Sequence, residues 1–167
     1  MNRDLLQYKK ELLYRKSKSK QIYERYKKKI KDLLLISERD ITFISLEKSD
    51  LIRMKDIGNK YFFVKHDVST HDIYSEIIKD LKKKEGSYYV FIDHDWEYCG
   101  CFQIDSFAYL KNDFSFGNLI TDDIVFIEKS FISKISIDYY EMNNKFYIDM
   151  TFYNSDTNNS EKTKNKG

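Results

Sequence analysis

The segment Tyr88–Ile92, YYVFI, limits what this chain can fold into more than any other stretch. Five consecutive apolar residues, aromatic or β-branched throughout, suit a strand covered on both faces and are too few for a typical helix. Asp93-His94-Asp95-Trp96 follows, concentrating polar and turn-tolerant residues where a chain reverses. Beyond it Tyr98, Phe102 and Ile104 alternate with Glu97, Cys99, Cys101 and Gln103, with Gly100 on the apolar side. The pattern predicts a hairpin at the centre of a sheet, with the only tryptophan and an acidic cluster at an exposed tip.

The flanking chain supplies helices and more strands. From Arg3 to about Leu35, Leu5, Tyr8, Leu12, Leu13, Ile22, Tyr23, Tyr26, Ile30, Leu33 and Leu34 keep helical spacing among lysines and arginines. A break near Ser17-Lys18-Ser19 is compatible with that spacing. A second helix is expected with Ser69 or Thr70 as its cap, Asp72 in its first turn and Ile73, Ile77, Ile78 and Leu81 on one face. Lys82-Lys83-Lys84 closes it and Gly86 lies beyond its end. Strands are expected at Ile41–Leu46, Tyr61–Lys65, Asp123–Lys129, Lys134–Glu141 and Lys145–Tyr153, the last two joined at Asn143-Asn144. Ser49–Ile57 reads equally as a helical turn or a short strand, and Ser106–Ile120 as a short helix and loop. The fold class is therefore α+β: a mainly antiparallel sheet of about 5–7 strands, with a long N-terminal helix and a second helix packed on it.

One domain is expected over residues 1–153, with 154–167 (NSDTNNSEKTKNKG) a disordered polar tail. Charge is distributed unevenly within it. Residues 1–34 hold 12 Lys/Arg against 4 Asp/Glu, whereas 35–153 hold 14 against 21. A basic helix over 1–35 thus accompanies an acidic, sheet-containing body over 36–153. No run approaches the ~18 apolar residues of a membrane span, and the N-terminus lacks the apolar region of a secretory signal. Two cysteines at i, i+2 do not build a disulfide framework. A cytoplasmic location without membrane association is the expectation.

Catalytic motifs are sparse. All three histidines precede aspartate, at His66-Asp67, His71-Asp72 and His94-Asp95, and a metal-dependent hydrolase using such pairs is one reading. The dipeptides fall at strand ends and a helix start, where turn and capping roles explain them without a metal. Asp93, His94, Asp95 and Glu97 could serve as an acid–base cluster, although a polar turn offering an acidic surface accounts for them more simply. Cys99 and Cys101 would share one face of a strand as packed thiols. Lys27, Lys28 and Lys29 support a second functional reading, contact with nucleic-acid phosphates, against the plainer one of a solvated helix face. Neither a phosphate-cradling glycine loop nor a nucleophile elbow is present. The reading is a non-enzyme, with no cofactor and no metal called for.

Three stretches, VFIDHDWEYCGCFQI, TDDIVFIEKS and ISIDYYEMNNKFYIDM, follow the basic N-terminal helix. In this order they resemble the YxiF-like small immunity proteins of polymorphic toxin systems in low-GC Gram-positive bacteria. The likeness spans roughly Tyr88–Tyr153 and carries over no functional residues. It implies a bacterial cytoplasmic protein that binds a cognate toxin domain stoichiometrically and blocks it. Where the toxin is a nuclease, an acidic, aromatic-rich surface can occupy its basic cleft. On that reading Asp93, Asp95, Trp96, Glu97 and Tyr98 are the first candidates for partner contact, and Asp122 and Asp123 the second.

Overall fold

The computed structural model describes residues 3–37, 40–68, 73–114 and 121–155. Helix α1 (Arg3–Leu33) is followed by β1 (Thr42–Phe43), α2 (Leu46–Arg53), β2 (Asn59–Asp67), α3 (Ile73–Lys82) and β3 (Tyr88–Ile92). The one-turn α4 (Trp96–Cys99), β4 (Phe102–Ile104), β5 (Asp123–Glu128), β6 (Ser133–Met142) and β7 (Lys145–Asn154) complete the chain. The seven strands form one sheet in the order β1-β4-β3-β5-β6-β7-β2, and every pairing is antiparallel. The α+β class with a long N-terminal helix and a second helix on the sheet is what the sequence predicts.

All five residues of β3 are buried, because this strand is sandwiched. On one face Val90 and Ile92 join Tyr26, Ile30 and Leu33 of α1 and Ile73, Ile77, Ile78 and Leu81 of α3 in the main core. On the other, Tyr89 and Phe91 meet Ile52 of α2 and Ile57 in a smaller core, which continues onto Val125 and Ile127 of β5. Alternation along a pleated strand divides the side chains between these faces. The second core stops at β5. Lys134, Ser136, Asp138 and Tyr140 of β6, and Tyr147, Asp149, Thr151 and Tyr153 of β7, lie on the same face beyond it, and none of them is buried. Among the described residues, half of one sheet face is therefore without a buried layer over it.

The β6–β7 hairpin turns at Asn143 and Asn144, whose φ values of 54° and 60° are tolerated by asparagine. This fixes a ten-pair register from Ser133↔Asn154 to Met142↔Lys145. Several local expectations are corrected. Helix α1 runs unbroken through Ser17 and Ser19, whose hydroxyls donate to the carbonyls of Tyr14 and Lys16, three residues back (2.7 and 2.8 Å). Ser49–Ile57 is helical over its first part, and the strand expected at Ile41–Leu46 shortens to Thr42–Phe43 because Ser45 caps α2 through the Lys48 N–H. The expected cap and first turn at Ser69, Thr70 and Asp72, and the tail from Asp156, lie outside the described residues.

The predicted hairpin exists as the β3–β4 pair, but its connection is not an exposed tip. The chain makes the single turn of α4 and then a sharp bend at Gly100 (φ +82°). A Cβ at Gly100 would stand 1.9 Å from the Ile44 carbonyl oxygen, so the close approach of the two backbones requires glycine. Cys99 and Cys101 consequently do not share a strand face. Cys99 ends α4, and Cys101 is buried with its N–H donating to Ser49 Oγ (2.9 Å). Burial pushes both thiols up to about 11, which leaves them unreactive at neutral pH.

Candidate functional site

The acidic residues following β3 divide into two groups according to what they face. Asp93 adopts a left-handed conformation (φ +46°) that turns its carboxylate back onto the chain. Oδ1 accepts the N–H groups of Asp122 and Asp123 (2.8 and 2.9 Å), and Oδ2 is bound by Lys29. Asp95, 3 % exposed, pairs with Lys29 (3.0 Å) and with Arg25. Lys29 is itself buried. Two carboxylates and two cations therefore form a network, buried at Lys29 and Asp95 and open to solvent at Arg25, that pins α1 over the end of β3.

A second network holds the first half of α1. Arg15 makes a bidentate pair with Asp50 of α2 (2.8 and 2.9 Å), and its Nε donates to the Glu97 carbonyl. Tyr8 donates its hydroxyl to the same Asp50 carboxylate (2.8 Å). Arg15 and Lys29 lie fourteen residues apart, which returns them to nearly the same side of a 3.6-residue helix. That side also carries the buried Leu12, Tyr26, Ile30 and Leu33, so the buried stripe of α1 contains two cations as well as hydrophobes.

These contacts correct the expected contact surface. Asp95 is buried and Asp93 is engaged within the fold. Trp96 is a packing residue, set edge-on to Phe91 (5.1 Å, 84°). Tyr98 is half-buried. Glu97 is partly exposed and accepts a hydrogen bond from the exposed His94 ring (2.9 Å), whose pKa is raised by that carboxylate. The lysine triplet is not a solvated row either. Lys29 faces inward, Lys27 lies over the Tyr23 ring (5.0 Å), and only Lys28 is exposed. Among the described residues no group of three or more His, Cys, Asp or Glu is arranged to hold a metal. His71 and Asp72 lie outside those residues.

A second set of acids lies across the strands. Asp123 of β5 is in register with Asp138 of β6, and Asp138 with Asp149 of β7. Directly paired residues point to the same side, so the three carboxylates form one row on the open face, with exposed Asp122 beside its β5 end. Burial pushes the Asp123 carboxyl up to about 6, assisted by Asp138 and Asp93 and opposed by Arg53. Asp138 is raised by partial burial and by Asp149 and Asp122. A cleft of about 670 Å³ opens where this row meets Asp93 and Asp122, and Arg25 and Lys29 line it beside the acids.

Aromatic side chains continue the row. Tyr140 donates to Asp149 (3.2 Å) and lies 5.8 Å from the Tyr147 ring, while Lys65 of β2, in register with Asp149, covers both rings. The sequence reading contained Asp122 and Asp123 but missed Asp138, Asp149, Tyr140 and Tyr147. The alternation of ISIDYYE and KFYIDM carried the signal, but register was needed to bring the acids together. Among the described residues, no helix is long and apolar enough to cross a membrane. No family model, curated protein or solved structure matches this chain.

Proposed function

We propose that this chain is a non-catalytic immunity or inhibitor protein that occludes a positively charged cleft of a cognate toxin domain in the cytoplasm. The observation that carries the reading is the carboxylate row Asp123–Asp138–Asp149, with Tyr140 and Tyr147 beside it, on the half of the sheet face left without a cover. Adjacent like charges on neighbouring strands destabilise a sheet, and here Asp138 stands between two further carboxylates, with Arg53 near Asp123 and Lys65 opposite Asp149 at the two ends of the row. A partner bearing Lys and Arg relieves that repulsion on binding. The tyrosines supply rigid contact area with few torsions to freeze. The resemblance to YxiF-like immunity proteins agrees with this role, and a nuclease, whose cleft receives phosphates, is the class of toxin that such a face fits.

The contact surface is therefore assigned to Asp122, Asp123, Asp138, Asp149, Tyr140 and Tyr147, with Glu97 and Tyr98 at its margin, and not to Asp95 or Trp96. The test is co-expression with the protein encoded by the adjacent gene. Growth rescue and a one-to-one complex are expected. Absence of a complex between the two purified proteins would overturn the reading.

A further inference from the structure

The open edge of β2 carries a different signal from the acidic face. Among the described residues β2 is the last strand of the sheet and pairs with β7 alone, and it is nine residues long. Tyr61, Phe62 and Phe63 along it are 50 %, 51 % and 43 % exposed. Proteins blunt long edges with short strands, proline, charged side chains or bulges; this edge carries Lys60, Lys65 and a bulge, yet it also presents three adjacent rings. A bulge at Tyr61 interrupts the strand at one end, leaving Phe62–Asp67 as the regular stretch.

We propose that the β2 edge pairs antiparallel with the β2 edge of a second copy of this chain, about a twofold axis at Val64. A twofold perpendicular to the sheet keeps each residue on its own face, so paired residue numbers must sum to an even value. Centring on Val64 sets Val64 against Val64, Phe63 against Lys65, and Phe62 against His66. Both heterologous pairs then occur twice. Phe63 and Lys65 share the open face, where Lys65 already lies over the Tyr147 ring (4.3 Å), and a cation beside a ring is favourable. Phe62 and His66 share the opposite face, next to Phe152 and Ile148. Centring one residue toward the C-terminus would oppose Lys65 with Lys65, and centring one residue toward the N-terminus would move the Tyr61 bulge inward, from opposite terminal Asp67 to opposite Lys65. The self-complementary register selects a second copy over an unrelated strand: Lys65 of each chain would flank Phe63 of the other, joining the Lys60 that already lies over that ring (4.1 Å). The twofold places both acidic rows on the same side of one continuous sheet, so the dimer presents two contact faces together. The pairing stands whether or not the occlusion reading does.

Sedimentation velocity on the full chain over about 1–100 µM tests this, since the range brackets the affinities of modest interfaces. A reversible dimer is expected. Phe63→Lys sets like charges opposite each other twice and is expected to weaken the dimer on the order of tenfold. Phe62→Lys, altered on the other face, is expected to weaken it too, so the test survives if one variant fails to fold. Circular dichroism identifies folded variants. A monomer throughout the range overturns the proposal, as does a dimer unaffected by both folded variants. A monomer whose β2 amides resist hydrogen exchange would assign the edge to another segment of the chain, and overturns it as well.

Discussion

Asp123 and Asp138 stand directly opposite each other on β5 and β6, two carboxylates in register at the mouth of the cleft. Burial raises the first to about 6, and its neighbours add to the effect. The fold thus holds a charge at pH 7 that it would hold more comfortably neutral. Such a cost suits a surface kept for a partner.

Asp123→Asn is expected to stabilise the free protein. The folded carboxyl titrates near 6 against an ordinary 3.8, so between those values the folded state binds more protons than the unfolded state. Stability from this group therefore falls as pH rises from about 4 to about 6 and stays reduced above that. At pH 7 the variant should gain about 1–3 kcal/mol in urea unfolding, a gain that vanishes below about pH 4. An equal or lower stability at pH 7 would contradict the assignment.

The same titration predicts weaker partner binding in acid. As pH falls through about 6, Asp123 loses its charge, and attraction for a basic cleft declines. The pH dependence of the association rate checks this. Asp123→Asn should flatten it.

Lys29→Met should be severely destabilising. It removes one of the two cations that hold buried Asp95 (3.0 Å), leaving Arg25 alone, and takes one partner from Asp93. Breaking a buried pair from one side costs about 3–5 kcal/mol. Lys28→Met, one residue away and exposed, should change stability by less than about 0.5 kcal/mol. Denaturant midpoints compare the two directly.

Gly100→Ala should cost about 3 kcal/mol or more, since both the positive φ and the Ile44 carbonyl oppose a side chain. Thermal unfolding measures the loss.

What the sequence reveals follows from how local each feature is. The buried strand Tyr88–Ile92, the α3 stripe and the Asn143-Asn144 turn are written in neighbouring residues, and all three are found where periodicity and turn chemistry put them. The site is written across strands. Asp123, Asp138 and Asp149 are far apart in sequence and meet only through the register of two hairpin pairings. The mistaken exposure of Asp93 and Asp95 has the same origin. Their partners, Lys29 and Arg25, lie 64 and 70 residues away on a helix whose lysines look solvated. Charge that is local in sequence need not be exposed when an opposite charge arrives from elsewhere in the chain.

The most direct test of the occlusion account is a titration calorimetry series with the protein encoded by the adjacent gene, comparing wild type with the double variant Asp138→Lys/Asp149→Lys at low and moderate salt. The account predicts a one-to-one complex that weakens with salt. It also predicts that the double variant, remaining folded, loses about tenfold to a hundredfold in affinity. A complex of unchanged affinity in that variant, or no complex with the wild-type chain, would contradict it.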